Sequence, residues 1–77
     1  KDLDKFDPRF LASVYEALKT REARRFGDLV IVPLISGVSV RKDGKRKYYF
    51  PESVVRSLVY YLLSKGIFVE RLEPVRW

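Results

Sequence analysis

The stretch VSVRKDGKRKYYF, residues 38–50, carries the strongest local signal in the chain and decides which fold the flanking segments must complete. Asp43-Gly44 lies between two alternating segments, and both residues tolerate the positive φ that a two-residue hairpin turn requires. Counting outward from this turn fixes the register, and the register assigns side chains to faces. The predicted pairs are Lys42 with Lys45, Arg41 with Arg46, Val40 with Lys47, Ser39 with Tyr48 and Val38 with Tyr49.

The segments before the hairpin predict a helix followed by a strand. Asp7-Pro8 is a helix-start signal, because the carboxylate caps free backbone N–H groups and proline is tolerated in the first turn. We expect this helix to end near Arg25. Leu29–Ile35 is apolar and rich in β-branched residues, which predicts a buried strand, and Pro33 within it implies an edge or a bulge. The helix carries an apolar stripe at i, i+3, i+4 spacing that consists of Phe10, Leu11, Val14, Tyr15 and Leu18.

The segments after the hairpin predict a second helix and a closing strand. Pro51-Glu52-Ser53 opens the helix, and Gly66 closes it as a left-handed C-cap. Ile67–Leu72 reads as a last strand, with residues 74–77 as a tail. The order αββαβ indicates a small two-layer α+β fold, in which a mostly antiparallel sheet with a basic hairpin packs against two helices. We expect residues 1–77 to form one domain, with a flexible N-terminal segment at residues 1–6.

Apolar residues surround the second helix almost completely, since only Arg56, Ser57 and Ser64 are polar between Val54 and Ser64. A helix that is apolar all round must be covered on more than one side. The cover is either the sheet together with the first helix, or a second copy of the chain. If the chain forms a homodimer, Tyr60 and Tyr61 are the candidate interface residues.

The net charge of +6 is concentrated in two short clusters. The first carries net +3 and consists of Lys19, Arg21, Arg24 and Arg25 with Glu22. The second lies on the hairpin and carries net +4, from Arg41, Lys42, Lys45, Arg46 and Lys47 with Asp43. The remaining residues sum to −1, so the excess positive charge forms two local patches.

Each cluster has a structural explanation beside a functional one. Cations in a last helical turn interact favourably with the negative end of the helix dipole, and basic residues on a strand can protect an exposed edge. The hairpin cluster is harder to explain in this way. Arg41 opposite Arg46, and Lys42 opposite Lys45, place like charges across the strands, which is destabilising.

A phosphate backbone would relieve this repulsion, because Lys and Arg that neutralise phosphates release bound counterions. On one predicted face Arg41 and Arg46 lie beside Tyr48, which we expect to be exposed and able to stack on a base. The second helix offers only Arg56, so we do not expect a helix in the major groove. We therefore expect a small basic nucleic-acid-binding protein, largely non-sequence-specific, with DNA ahead of RNA as its partner. The candidate binding residues are Arg21, Arg24, Arg25, Arg41, Lys42, Lys45, Arg46, Lys47 and Tyr48.

The residue types that the chain lacks argue against catalysis. The sequence contains no His, Cys, Met, Asn or Gln, which removes thiol nucleophiles, the commonest general base and Cys-ligated zinc. We expect no enzyme activity, no cofactor and no metal site. The missing thermolabile types beside 34% charged residues are typical of a hyperthermophile or its virus, archaeal or otherwise. Zero cysteine fits a reducing cytoplasm, and no segment reaches the roughly 20 apolar residues of a membrane span.

The alternative function is a protein–protein interaction module of a larger assembly. Residues 29–72 contain a hairpin followed by Pro51-Glu52, a helix, Lys65-Gly66 and a predicted closing strand. This order resembles the small β-rich domain of archaeal GINS replication subunits. The resemblance implies a protein partner and carries over no site residues.

Overall fold

A computed structural model describes residues 2–70. In chain order, one helix is followed by the four strands of an antiparallel sheet and then by a second helix. The predicted α+β class is confirmed. The observed order is αββββα, whereas the predicted order was αββαβ, and the strands are hydrogen-bonded in the sequence β1-β2-β3-β4. The elements are α1 (Pro8–Thr20), β1 (Arg24–Phe26), β2 (Leu29–Pro33), β3 (Gly37–Lys42), β4 (Lys45–Pro51) and α2 (Glu52–Ser64).

Helix α1 begins at the predicted residue and ends earlier than predicted. The Asp7 side chain accepts a hydrogen bond of 2.8 Å from the backbone N–H of Arg9, and Pro8 occupies the first turn. The five residues of the predicted apolar stripe are all buried. The helix ends at Thr20 because Arg21 adopts the left-handed conformation, with φ 61°. Arg24 and Arg25 therefore lie in a strand and not in the last helical turn.

Strand β1 pairs with β2 through a second two-residue hairpin, around Gly27-Asp28. Phe26 pairs with Leu29, and Gly27 has φ +62°. Gly-Asp between two extended segments is a recognised hairpin signal. These two residues end β1 and reverse the direction of the chain, so that β2 runs antiparallel to β1. The pairing with β1 stops at Ile31, and Pro33 lies beyond it. The edge predicted at Pro33 is confirmed within residues 2–70, because its nitrogen points to the side of β2 on which β1 has already ended.

Helix α2 has the predicted start and the predicted C-cap. It begins at Glu52 and is closed by Gly66, which has φ +79°. The N–H of Gly66 donates to the carbonyl of Leu63, and that of Ile67 donates to Leu62, which together form a Schellman motif. Residues 67–70 do not form a strand. The predicted strand Ile67–Leu72 is therefore wrong over these residues, and its remainder, like the tail at 74–77, lies outside the described residues.

Both helices pack on the same face of the sheet, and the core lies between the two layers. The predicted flexible segment supplies a short 3-10 helix, Asp2–Lys5, and Phe6, whose ring lies 5.5 Å from that of Phe10. The sheet contributes alternate residues to this inner face, as a half-buried sheet requires. The buried core consists of Phe10, Leu11, Val14, Tyr15, Ala17, Leu18, Ile31, Val38, Val40, Phe50, Val55, Leu58, Val59 and Leu62.

The β3–β4 hairpin has the predicted turn but a different register beyond it. Asp43 and Gly44 have φ 55° and 81°, and Arg41 pairs with Arg46 as predicted. A β-bulge follows, so that Val40 pairs with Tyr48 and Lys47 is the extra residue. Past the bulge every pair is shifted by one residue, as in Ser39 with Tyr49 and Val38 with Phe50.

The shifted register exchanges the two tyrosines between the faces of the sheet. Tyr48 faces inward, where its ring lies 5.0 Å from that of Phe6 and 6.4 Å from those of Phe10 and Phe50. Tyr49 faces outward, and 36% of its surface is exposed. The expectation that Tyr48 would be the exposed tyrosine is therefore wrong, since the bulge gives that position to Tyr49.

This register predicts that one substitution destabilises the protein to very different extents at two adjacent residues. Tyr48→Asp places a carboxyl among aromatic rings and should lower the free energy of unfolding by about 3 kcal/mol or more. Tyr49→Asp lies on the outer face and should cost about 1 kcal/mol, mainly through lost strand propensity. Thermal unfolding followed by circular dichroism measures both. A larger loss for Tyr49→Asp would contradict the bulged register.

Candidate nucleic-acid interface

The sheet face opposite the helices, here called the open face, gathers cations from both sequence clusters. Arg25 pairs with Val30, Val30 with Arg41, and Arg41 with Arg46. Residues paired across antiparallel strands share a face, so the three arginines form one row across all four strands. All three are exposed. We call Arg25, Arg41 and Arg46 the cation row.

The cation row is an unbalanced concentration of positive charge. Within residues 2–70 no carboxylate forms an ion pair with any of its members. Arg41 donates a hydrogen bond of 2.8 Å to the carbonyl of Gly44 in the turn. Like charges directly opposite one another destabilise a sheet, so the Arg41–Arg46 pair is a source of repulsion that an anion would relieve.

Tyr49 lies on the open face in the row next to the cations. It pairs with Ser39, which in turn pairs with Val32. Its hydroxyl donates a hydrogen bond of 2.6 Å to the Ser36 hydroxyl. The Arg46 guanidinium carbon lies 5.3 Å from the ring centroid, within cation–π range.

The end of the β3–β4 hairpin carries further lysines beside the cation row. Lys45 and Lys47 are exposed. Lys45 pairs with Lys42, one position on from the Arg41–Arg46 pair, so its side chain leaves the hairpin on the side opposite the cation row. The Lys47 ammonium lies 5.8 Å from the ring centroid of the inward-facing Tyr48. The Lys42 ammonium lies 3.5 Å from a carboxylate oxygen of Asp28. Lys42 is therefore partly neutralised, whereas Lys45 and Lys47 carry positive charge from the cation row around the end of the hairpin. A shallow depression of about 420 Å³ is lined by Lys42, Asp43, Lys45, Arg46 and Lys47.

Most cations of the first cluster have partners within the chain. Arg21 donates to the Leu34 carbonyl at 3.4 Å, and Arg24, which faces inward and is partly buried, donates to the Thr20 hydroxyl at 3.2 Å. Lys19 forms an ion pair with Glu70, and this hydrogen bond raises the pKa of Lys19 and lowers that of Glu70. Of the predicted binding residues in this cluster, the structure brings only Arg25 onto the open face.

The two tyrosines predicted for a dimer interface lie in different environments. The Tyr61 hydroxyl donates to the Asp4 carboxylate at 3.1 Å and to the Leu3 carbonyl at 3.4 Å. Burial, followed by the hydrogen bond to Asp4, raises the pKa of Tyr61. Tyr61 thus contacts the chain's own N-terminal segment, while Tyr60 is 61% exposed.

Two features of this surface were missed in the sequence. The first is β1, which carries Arg25 to the hairpin cations, and Gly27-Asp28 was the available signal. The second is Tyr49, which depends on the bulge at Lys47. No single-residue pattern in this stretch marks the bulge, because both flanking segments alternate well enough to pair without one.

The chain was compared with protein families, curated proteins and solved structures, and none of them matches. Neither helix within residues 2–70 is long and apolar enough to span a membrane. The same part of the chain contains no group of three acidic side chains that could hold a metal ion.

Repulsion in the cation row predicts a specific salt dependence of stability. Screening by salt weakens the repulsion, so the melting temperature of the wild type should rise by about 3 °C between about 20 and 200 mM NaCl. Replacing all three members by threonine, which keeps strand propensity, should flatten this rise. The control variant Lys5→Ala/Arg9→Ala/Lys65→Ala removes the same charge from the helix layer and should follow the wild type. Equal flattening in both variants would attribute the effect to net charge alone.

Proposed function

We propose that the protein binds nucleic acid through the cation row and the adjacent hairpin lysines, with little sequence preference. The observation that carries this proposal is the row of three arginines across the open face, none of which forms an ion pair with a carboxylate within residues 2–70. Phosphate is the anion that such a row suits best, because guanidinium groups bind phosphate oxygens in a bidentate manner. A backbone that presents phosphates at regular spacing can engage several members at once.

The charge of α2 argues for contact through the sheet and against contact through a recognition helix. Arg56 is the only cation of α2. Its guanidinium lies 2.9 Å from a carboxylate oxygen of Glu52, one turn earlier. The hairpin and the row therefore supply the contacts, and contacts of this kind position a protein on a backbone without reading its sequence.

The number of available cations gives an expected salt dependence. Arg25, Arg41, Arg46, Lys45 and Lys47 provide up to about five phosphate contacts. This number corresponds to a log–log salt slope of about −3.5 on a single strand and about −4.5 on a duplex. Replacing Arg41 and Arg46 by alanine should make the slope shallower by about 1.4 to 1.8.

Titration of labelled single-stranded DNA, duplex DNA and RNA at several salt concentrations tests the proposal. We expect micromolar binding at low salt and the shallower slope for the Arg41→Ala/Arg46→Ala variant. The matched control Lys5→Ala/Arg9→Ala loses the same charge on the helix layer and should keep the wild-type slope. Absence of binding to every oligomer at about 50 mM salt would refute the proposal.

We infer a protein–protein interaction module as the second candidate function, with a second copy of the chain as the first partner to test. Tyr60 and Leu63 lie one turn apart on α2, and they are 61% and 41% exposed. An exposed apolar pair on a helix is a feature of interfaces when it belongs to a larger patch.

A dimer through this side of α2 predicts a change in mass. The wild type should have twice the 9.1 kDa mass of one chain, and Tyr60→Asp should be a monomer, because the carboxylate would be buried in the contact. Multi-angle light scattering measures the mass directly. A monomeric wild type, or a variant of unchanged mass, would refute this interface.

A further inference from the structure

We propose that the open face binds a single strand of nucleic acid, with one base stacked on the ring of Tyr49. This inference rests on the nucleic-acid binding proposed above and names its substrate class. Stacking on an aromatic ring is tolerant of sequence, because every base has a π-face. The chemistry is the same for strands of DNA and RNA.

Tyr49 is held as a fixed platform before any ligand arrives. Its hydroxyl is bound to Ser36, which precedes β3, at 2.6 Å. Ser39, its cross-strand partner, is only 2% exposed, and its hydroxyl is buried without a hydrogen-bond partner among residues 2–70. The side chains around Ser39 therefore cover it closely, and they leave little room for the Tyr49 ring to shift across the sheet toward β3. A side chain that is already ordered loses less conformational entropy when it binds a ligand.

The ring already has a flat, delocalised partner, which is the guanidinium of Arg46. Its central carbon lies 5.3 Å from the ring centroid. A nucleobase is also planar and requires the same kind of surface. Because Arg46 is exposed and has a flexible stem, it can yield this position to a base and reach the adjacent phosphate. The two residues thus combine stacking with charge in one location.

The width of the open face favours a single strand over a duplex. With neighbouring strands about 4.8 Å apart, Arg25 on β1 and Arg46 on β4 lie about 14 Å apart along the sheet. The major groove of B-DNA is about 12 Å wide and the minor groove about 6 Å, so the four-stranded face cannot enter either groove. A duplex would keep its bases stacked on one another and away from Tyr49. A single strand can lie along the face and place a base on the ring.

The experiment compares strands that carry the same phosphates but differ in their bases. Fluorescence anisotropy of labelled oligo-dT, oligo-rU and an abasic strand, each of about 12 nucleotides, is measured with the wild type at moderate salt. We expect the abasic strand to bind about tenfold more weakly than oligo-dT, the factor typical of one stacked base. The rU arm identifies whether RNA strands are bound equally.

Two substitutions assign the difference to Tyr49. Tyr49→Leu should weaken oligo-dT binding about tenfold and leave abasic-strand and duplex binding unchanged. Tyr49→Phe keeps the ring and should bind oligo-dT within about twofold of the wild type. Phe68→Leu is the matched control, because Phe68 is 85% exposed and lies outside the open face. Circular dichroism verifies that each variant is folded.

The outcomes separate this inference from the function on which it rests. Equal affinity of the wild type for oligo-dT and the abasic strand, with a steep salt slope, would overturn the stacking inference and leave backbone binding intact. A folded Tyr49→Leu variant that binds oligo-dT as the wild type does would overturn it equally. Absence of binding to every strand at about 50 mM salt would overturn both. If Tyr49→Leu fails to fold, the abasic comparison on the wild type decides the question.

Discussion

The register of the β3–β4 pair is fixed at both ends, and the rest of the sheet depends on that constraint. At one end Asp43 and Gly44 form the tight turn. At the other, Gly37 pairs with Pro51 so closely that a Cβ on Gly37 would lie 2.1 Å from the Phe50 carbonyl oxygen. Between these ends β3 has six residues and β4 has seven. Seven residues opposite six require one bulge, and Lys47 is the residue left over.

The bulge reconciles two demands that a regular hairpin could not meet together. The hydrophobic core needs Tyr48 and Phe50 beside Val38 and Val40, and the turn sets Arg41 opposite Arg46. In an unbulged ladder the pairs beyond Arg41 would bring Tyr49 inward and place Phe50 on the outer face, because side chains alternate with a period of two. Burial of a phenylalanine stabilises a fold by about 2 kcal/mol. This gain outweighs the loss of the backbone pairing at one residue of β4. Burial of the core side chains therefore determines that the bulge lies at Lys47.

The features of the fold that the sequence predicts are those that depend on a few neighbouring residues. The Asp7 cap, the Asp43-Gly44 turn and the Gly66 C-cap depend on a few consecutive residues, and all three were predicted correctly. The end of α1 was not, because Arg21 adopts a left-handed conformation that is unusual for a residue with a Cβ. A helix that extends to Arg25 leaves no room for β1, so the sequence predicts Arg25 beside the hairpin cations but at the end of a helix, and not on the same sheet. The bulge depends on Gly37 meeting Pro51, a contact between distant residues that no local pattern reports.

The arrangement of charge on the open face follows from the backbone more than from the side chains. Arg25, Arg41 and Arg46 come from three different strands, yet the ladder holds their Cα atoms at fixed intervals across the sheet. The same charges on a flexible segment would separate to reduce their repulsion, whereas strands held by a common core on the inner face cannot. Repulsion in the cation row is therefore sustained by burial on the opposite face. An anion that neutralises such a rigidly maintained surface removes the repulsion and so lowers the free energy of the complex, which is the physical basis for the polyanionic ligand that we propose for this face.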